Sequence, residues 1–152
     1  MADIVHRVGI KAPASKVYAA LATIDGLAGW WTERTSGRAE VGGRIGFRFH
    51  TEAGDEIGGF EMDVPEHQPG QRVRWRVQDG PAEWVGTDIE FDLVPQDGHT
   101  VVRFGHRHWR EEGEFMAHCS TKWATFLLSL RDLAETGQGR PAPHDLRIGD
   151  WH

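Results

Sequence analysis

Cysteine is almost missing from this chain. Cys119 stands alone among 152 residues, so no internal disulfide can form and nothing points to an oxidising compartment. Long apolar runs are missing too: none approaches the roughly 20 residues that span a bilayer. The opening Met1-Ala2-Asp3-Ile4-Val5-His6-Arg7 lacks the charged-then-apolar pattern of a secretory signal. These absences predict a cytoplasmic chain with no membrane partner. Positive charge is in deficit as well. With a net charge of −6, a pI near 5.8 and basic residues scattered among acids, the chain lacks the clustered Lys and Arg that phosphate backbones require, which excludes nucleic acid as a partner. No Gly-Lys-Ser/Thr follows Gly42-Gly43, and neither His-Glu-x-x-His nor Gly-x-Ser-x-Gly occurs, so the sequence marks of phosphate-loop, zinc-protease and serine-hydrolase chemistry are missing.

Tryptophan, by contrast, is plentiful at seven residues. The apolar positions fall into two periods. Ile4, Val8 and Ile10 share one side of an opening strand. Pro13 can start a helix without losing a useful N–H, and Val17, Leu21 and Ile24 recur at helical spacing up to a break predicted at Asp25-Gly26. Leu27 to Trp31 reads as a second short helical turn. Period-two rows follow: Ile45, Phe47 and Phe49; Phe60, Met62 and Val64; Val73, Trp75 and Val77; Ile89, Phe91 and Leu93; then Val102 and Phe104. Such alternation between glycine-containing turns predicts an antiparallel meander of about six strands with one wet face. On that wet face, Arg72, Arg74 and Arg76 should meet Asp88, Glu90 and Asp92 across neighbouring strands.

The period then changes. Phe115, Cys119, Trp123, Phe126, Leu127, Leu130 and Leu133 form the apolar stripe of one long helix, which Gly137 can close in the left-handed conformation. The fold class is therefore α+β, a curved antiparallel sheet covering a long C-terminal helix, with two short helices after the first strand. Residues 1–152 read as one domain whose last part, 137–152, is an irregular strap. A strongly twisted sheet cannot lie flat along a straight helix, so a gap between them is the candidate cavity.

Several segments, kept in order along nearly the whole chain, carry a family resemblance. They are Ile10-Lys11-Ala12-Pro13 with Val17-Tyr18, Gly29-Trp30-Trp31, Val41-Gly42-Gly43, Thr100-Val101-Val102, and Trp123 followed by Phe126-Leu127 and Ser129-Leu130. Together they resemble the START-like (SRPBCC) superfamily of polyketide cyclases and pollen allergens. Within it the chain is most similar to the family named for the C-terminal domain of the activator of the ninety-kilodalton heat-shock-chaperone ATPase. The resemblance implies a helix-grip fold, pairing of the first and last strands, and a cavity whose mouth is flanked by Trp30 and Trp31. The activator also has a separate N-terminal domain, for which these 152 residues are expected to leave no room.

The candidate ligand-binding residues are Trp30, Trp31, Phe47, Phe49, Trp75, Phe104, His106, Trp123 and Phe126, because aromatic rings give rigid apolar walls and an indole N–H can orient a polar group. His106 and His108 continue the row of Val102 and Phe104, so both should face inward, with His6 beside them if the end strands pair. These three imidazoles are the only catalytic candidates, His106 foremost as a general base. No structural metal and no cofactor are expected, since cysteine ligands are lacking and the histidines are dispersed. Glu111, Glu112 and Glu114 suit the positive end of the long helix, and the pairs Glu114–His118 and His118–Lys122 read as surface contacts. Cys119, on the apolar stripe, reads as a small buried hydrophobe.

The expected function is binding of a small apolar or amphipathic ligand. Alternatives are a cyclase- or lyase-type enzyme using cavity histidines, and a chaperone-activator-like interaction domain. A homodimer is also expected as a possible assembly.

Overall fold

The computed structural model describes residues 2–152. Strand β1 (Ala2–Ile10) leads into two short helices, α1 (Ala14–Ala22) and α2 (Ile24–Trp30). Six strands follow: β2 (Arg34–Gly37), β3 (Arg44–His50), β4 (Glu56–Gln68), β5 (Arg72–Asp79), β6 (Asp88–Gln96) and β7 (His99–Trp109). The long helix α3 (Glu114–Thr136) comes last, and residues 137–152 contain no further helix or strand. All seven strands form one antiparallel sheet in the order β1-β7-β6-β5-β4-β3-β2, so the first and last strands pair and β1 and β2 are its edges. This is the helix-grip arrangement. No helix among the described residues is long and apolar enough to cross a membrane.

Each element follows from local chemistry. Thr23 ends α1 in an extended conformation and caps α2, its Oγ1 accepting from Gly26 N at 3.0 Å. The break therefore falls at Thr23 and not at Asp25-Gly26. Asp25 instead sits in the first turn of α2, where a carboxylate favours the positive helix end. In β4, the ladder to β5 is irregular between Asp63 and Glu66, where Pro65 has no N–H to give. Helix α3 ends as its stripe predicts, with Gly137 at φ 85° and its N–H donated to Leu133 O.

The inward rows of β3 to β7 and the stripe of α3 bury each other, and Ile10, Leu21, Trp30, Phe47, Trp75, Phe91 and Leu127 are fully buried. On the outer face the predicted charge ladder forms. Arg72, Arg74 and Arg76 stand opposite Asp92, Glu90 and Asp88, and the Arg72 guanidinium holds both Asp92 oxygens at 2.7 and 2.8 Å and Glu90 at 2.8 Å.

One strand departs from strict alternation. Between the pairs Ile4–His106 and Ala2–Trp109, β1 has one residue where β7 has two, a bulge at Arg107-His108. His108 adopts φ 77°, its N–H donated to Asp3 Oδ1 at 3.0 Å. The bulge turns His108 outward, beside Asp88, and brings Trp109 inward in its place. The expectation that His108 faces the interior is thereby corrected.

Candidate functional site

A cavity of about 730 Å³ opens at one end of the sheet–helix sandwich. Four parts of the chain wall it. The β3–β4 hairpin contributes Phe49, His50, Ile57 and Phe60, and the turn before β6 contributes Pro81 and Trp84. The first half of α3 brings Phe115, His118, Cys119, Lys122, Trp123 and Phe126, one face of the helix at spacings of three and four. The fourth wall is the C-terminal segment, through Ala142, Pro143, Asp145, Arg147, Trp151 and His152. Trp31 lies at the inner end, touching Phe47, Phe49, Phe60, Trp75, Trp123 and Phe126 with ring centroids 4.3–6.5 Å apart.

The C-terminal segment is pinned where it leaves the helix. Gly139 passes so close to Gly29 that an added Cβ would lie 2.3 Å from Gly29 O, which only glycine permits. Ser129 Oγ, buried, donates to Trp30 O at 2.8 Å and accepts from Arg140 N at 2.7 Å. Ala142 exchanges backbone bonds with Trp31 and Glu33. Farther along, Lys122 forms an ion pair with Asp145 and donates to Leu146 O, and Trp151 packs edge-on against His118 at 5.4 Å.

Of the sequence candidates, Trp31, Phe49, Trp123 and Phe126 line the cavity. Trp30, Phe47, Trp75 and Phe104 pack behind them as filled core. Trp75 lies 5.1 Å from Phe91, and Phe104 lies 4.6 Å from Trp123. Trp30 is 0% exposed, with Nε1 donated to Ala20 O, and Trp31 is 2% exposed. Neither flanks a mouth; the hairpin and the C-terminal segment do.

His106 is 0% exposed and does not reach the cavity wall. Its Nδ1 accepts from Trp123 Nε1 at 3.1 Å. An indole nitrogen can only donate, so the imidazole proton sits on Nε2, which donates to Thr87 Oγ1 at 2.9 Å. The Thr87 hydroxyl in turn donates to Trp84 O. Both ring nitrogens are occupied, and burial pushes the imidazole down to about 3. This relay ties the Trp123 indole to the backbone carbonyl of Trp84, and both residues wall the cavity. It holds them; it offers no free base. His6 Nε2 donates to Ser120 O at 3.1 Å, while His108 faces solvent, so the three imidazoles do not share a site.

The side chains the sequence misplaced are on α3. His118 and Lys122 are not outer-surface contacts: both line the cavity, because the C-terminal segment covers that helix face. Burial first, and then the charge of Lys122, holds His118 below its usual value, against a raising influence from Asp150. Cys119 is buried as expected, its thiol pushed up to about 12 by burial. Trp84, Phe115 and residues 142–152 were not foreseen as site residues. Trp84 is the one among them with a signal, an aromatic set in the polar turn that begins at Pro81.

Residues 11–135 match the family described as Activator of Hsp90 ATPase homolog 1-like protein. The solution structure of the Aha1 dimer from Colwellia psychrerythraea is similar at 46% identity and a TM-score of 0.82, over 91% of this chain and 100% of that one. CV1439 from Chromobacterium violaceum (21% identity, TM-score 0.70, 89% of this chain and 99% of that one) shares the fold. So does CalU16 from Micromonospora echinospora (16% identity, TM-score 0.65, 85% of this chain and 75% of that one). No curated protein matches the chain. With its family match running from the residue after β1 almost to the end of α3, this chain belongs to the Activator of Hsp90 ATPase homolog 1-like family.

Proposed function

We propose that this chain binds a small apolar or amphipathic molecule in the cavity between the β3–β4 hairpin, the first half of α3 and the C-terminal segment. The observation that carries this reading is the wall itself. Trp31, Phe49, Phe60, Trp84, Trp123 and Phe126 supply most of the apolar wall of a cavity of about 730 Å³, within the range of small-molecule sites, with a few polar side chains such as His50 and Lys122 among them. An apolar body would desolvate against the rings, and a polar end would meet Lys122, Arg147 or Glu52 at the opening. The catalytic alternative lacks its main support, because His106 has no free nitrogen and no contact with the cavity.

The test is a titration of the folded protein with an environment-sensitive naphthalene dye and a set of small aromatic acids and alcohols, read by quenching of tryptophan fluorescence. Micromolar affinity, about −8 kcal/mol, is the expected result. Cys119→Phe, which fills the cavity from α3, should abolish binding while leaving a cooperative unfolding transition. Absence of binding by every compound, or binding indifferent to Cys119→Phe, overturns the reading.

A second reading concerns assembly. The similar chain from Colwellia psychrerythraea is described as a dimer, which supports a homodimer for this chain as well.

A further inference from the structure

The outer edge of β1 is unpaired, since the strand has β7 as its only neighbour in the sheet. Its outward-facing row is Asp3, Val5 and Arg7, all exposed, with Val5 at 61%. An unpaired edge is a template for another strand, and charges on it are a common shield. The charges here are unevenly satisfied. Asp3 is held within its own chain by Arg107 at 3.0 Å and by the His108 N–H. Arg7 stands directly opposite Arg103 on β7 and forms no ion pair among the described residues. Like charges facing each other across a ladder are destabilising. Arg103 has Asp92 opposite it on β6, whereas Arg7, on the edge strand, has no carboxylate across its open side, so an anion arriving there would relieve the pair. Val5 faces Gly105, which has no side chain to cover it.

Resting on the homodimer reading, we propose that the β1 edge pairs with the β1 edge of a second copy of this chain, antiparallel about a two-fold axis through Val5. The row is self-complementary about that residue. Pairing residues 2–8 of the two copies sets Val5 against Val5 and places Asp3 of each copy opposite Arg7 of the other, twice by symmetry. An isologous contact of this kind needs one patch to match itself, and the order acid, apolar, base does so in the antiparallel sense. The Asp3 carboxylate keeps its bonds to Arg107 and the His108 N–H while accepting the new guanidinium, since two oxygens offer about four acceptor positions. Both edges are buried, the Arg7–Arg103 repulsion gains a compensating anion, and the two sheets become one continuous surface with the two cavities kept apart.

The experiment uses the full chain in sedimentation equilibrium over a wide concentration range. Wild type should be dimeric. Arg7→Asp sets Asp3 against a carboxylate and should raise the dimer dissociation constant about 100-fold, as like charges brought together do. Asp3→Lys should do the same by opposing Arg7. Mixing the two variants restores both pairs, so an equimolar mixture should dimerise although each alone is monomeric. Val5→Lys should also dissociate the dimer, and circular dichroism should show unchanged folding for Arg7→Asp and Val5→Lys, whose side chains are exposed. Asp3→Lys also removes the bonds to Arg107 and the His108 N–H, so its folding is compared separately by urea unfolding. A monomeric wild type overturns the proposal and the homodimer reading together. A wild-type dimer that survives Arg7→Asp and Val5→Lys overturns the β1 edge alone and leaves the homodimer reading standing.

Discussion

Lowering the pH should destabilise this fold through His106, and the size of the effect can be worked out. In the folded chain burial moves the imidazole from its usual 6.5 to about 3. The folded state therefore stays neutral at pH 5 while the unfolded chain takes up a proton. Because the unfolded state binds more protons, the His106 contribution is fully present above about pH 6.5 and is lost progressively as pH falls toward about 3. Between about pH 7.5 and pH 5 the loss is about 2 kcal/mol, since one pH unit within the window is worth about 1.4 kcal/mol. For a chain of this size that corresponds to a fall in Tm of about 4–8 °C. His67 and His118 are also held low, largely by burial, so the effect is isolated by comparison with His106→Gln, which is neutral at every pH. Urea unfolding of both proteins at the two pH values gives the test. Wild type should lose about 2 kcal/mol more than the variant. Nitrogen-edited NMR of the imidazole should show Nε2–H and no titration down to pH 5. Parallel losses in the two proteins, or a His106 titrating near 6.5, refute the argument.

Three further outcomes are expected. Trp123→Ala removes the donor to His106 and a ring shared by core and cavity, and should cost about 3–5 kcal/mol in urea unfolding while abolishing dye binding. Cys119, with its thiol pushed up to about 12, should react with iodoacetamide at pH 8 orders of magnitude more slowly in the folded chain than in urea, followed by mass spectrometry; equal rates would contradict its burial. Asp145→Asn removes the carboxylate that holds Lys122 to the C-terminal segment, so trypsin should cut after Arg147 several-fold faster, with a stability cost of about 1 kcal/mol; an unchanged cleavage rate would mean that the other contacts, Lys122 to Leu146 O and Trp151 to His118, hold the segment without the ion pair.

What was legible in the sequence follows from which forces leave a period. The burial of Val73, Trp75 and Val77 on one face and the charge match of Arg72, Arg74 and Arg76 on the other both repeat every two residues, and both appear as read. The α3 stripe repeats at 3.6 and is equally plain. Strand β2 is different. Arg34-Thr35-Ser36-Gly37 buries nothing, because an edge strand with one neighbour needs only backbone bonds, and backbone bonds leave no pattern in side chains. His108 failed for the opposite reason. The alternation is real up to His106, but one residue inserted opposite Asp3 changes its phase, and the local hydrogen bond that fixes it has no signature at that distance along the chain.

The cavity was the least legible part. Its inner wall belongs to periodic elements, so Trp31, Phe49, Trp123 and Phe126 could be anticipated. Its outer walls are a hairpin tip, the turn from Pro81 to Trp84 and the segment from Ala142 onward, each positioned by tertiary contacts such as Ser129 to Trp30 or Lys122 to Asp145. With those walls unseen, the same α3 face that looks solvated in a helical projection is in fact covered, and His118 and Lys122 change sides.

Trp31 and Trp123 are at once the floor of the cavity and part of the packed interior. Occupancy and foldedness are therefore coupled variables of a single equilibrium. A molecule held there at a hundred times its Kd would add about 2.7 kcal/mol to the global stability, by mass action alone. An unfilled chain would then be the more easily unfolded and the more readily degraded one. The abundance of the protein in a cell would follow the supply of whatever fills it, with no separate regulatory element required.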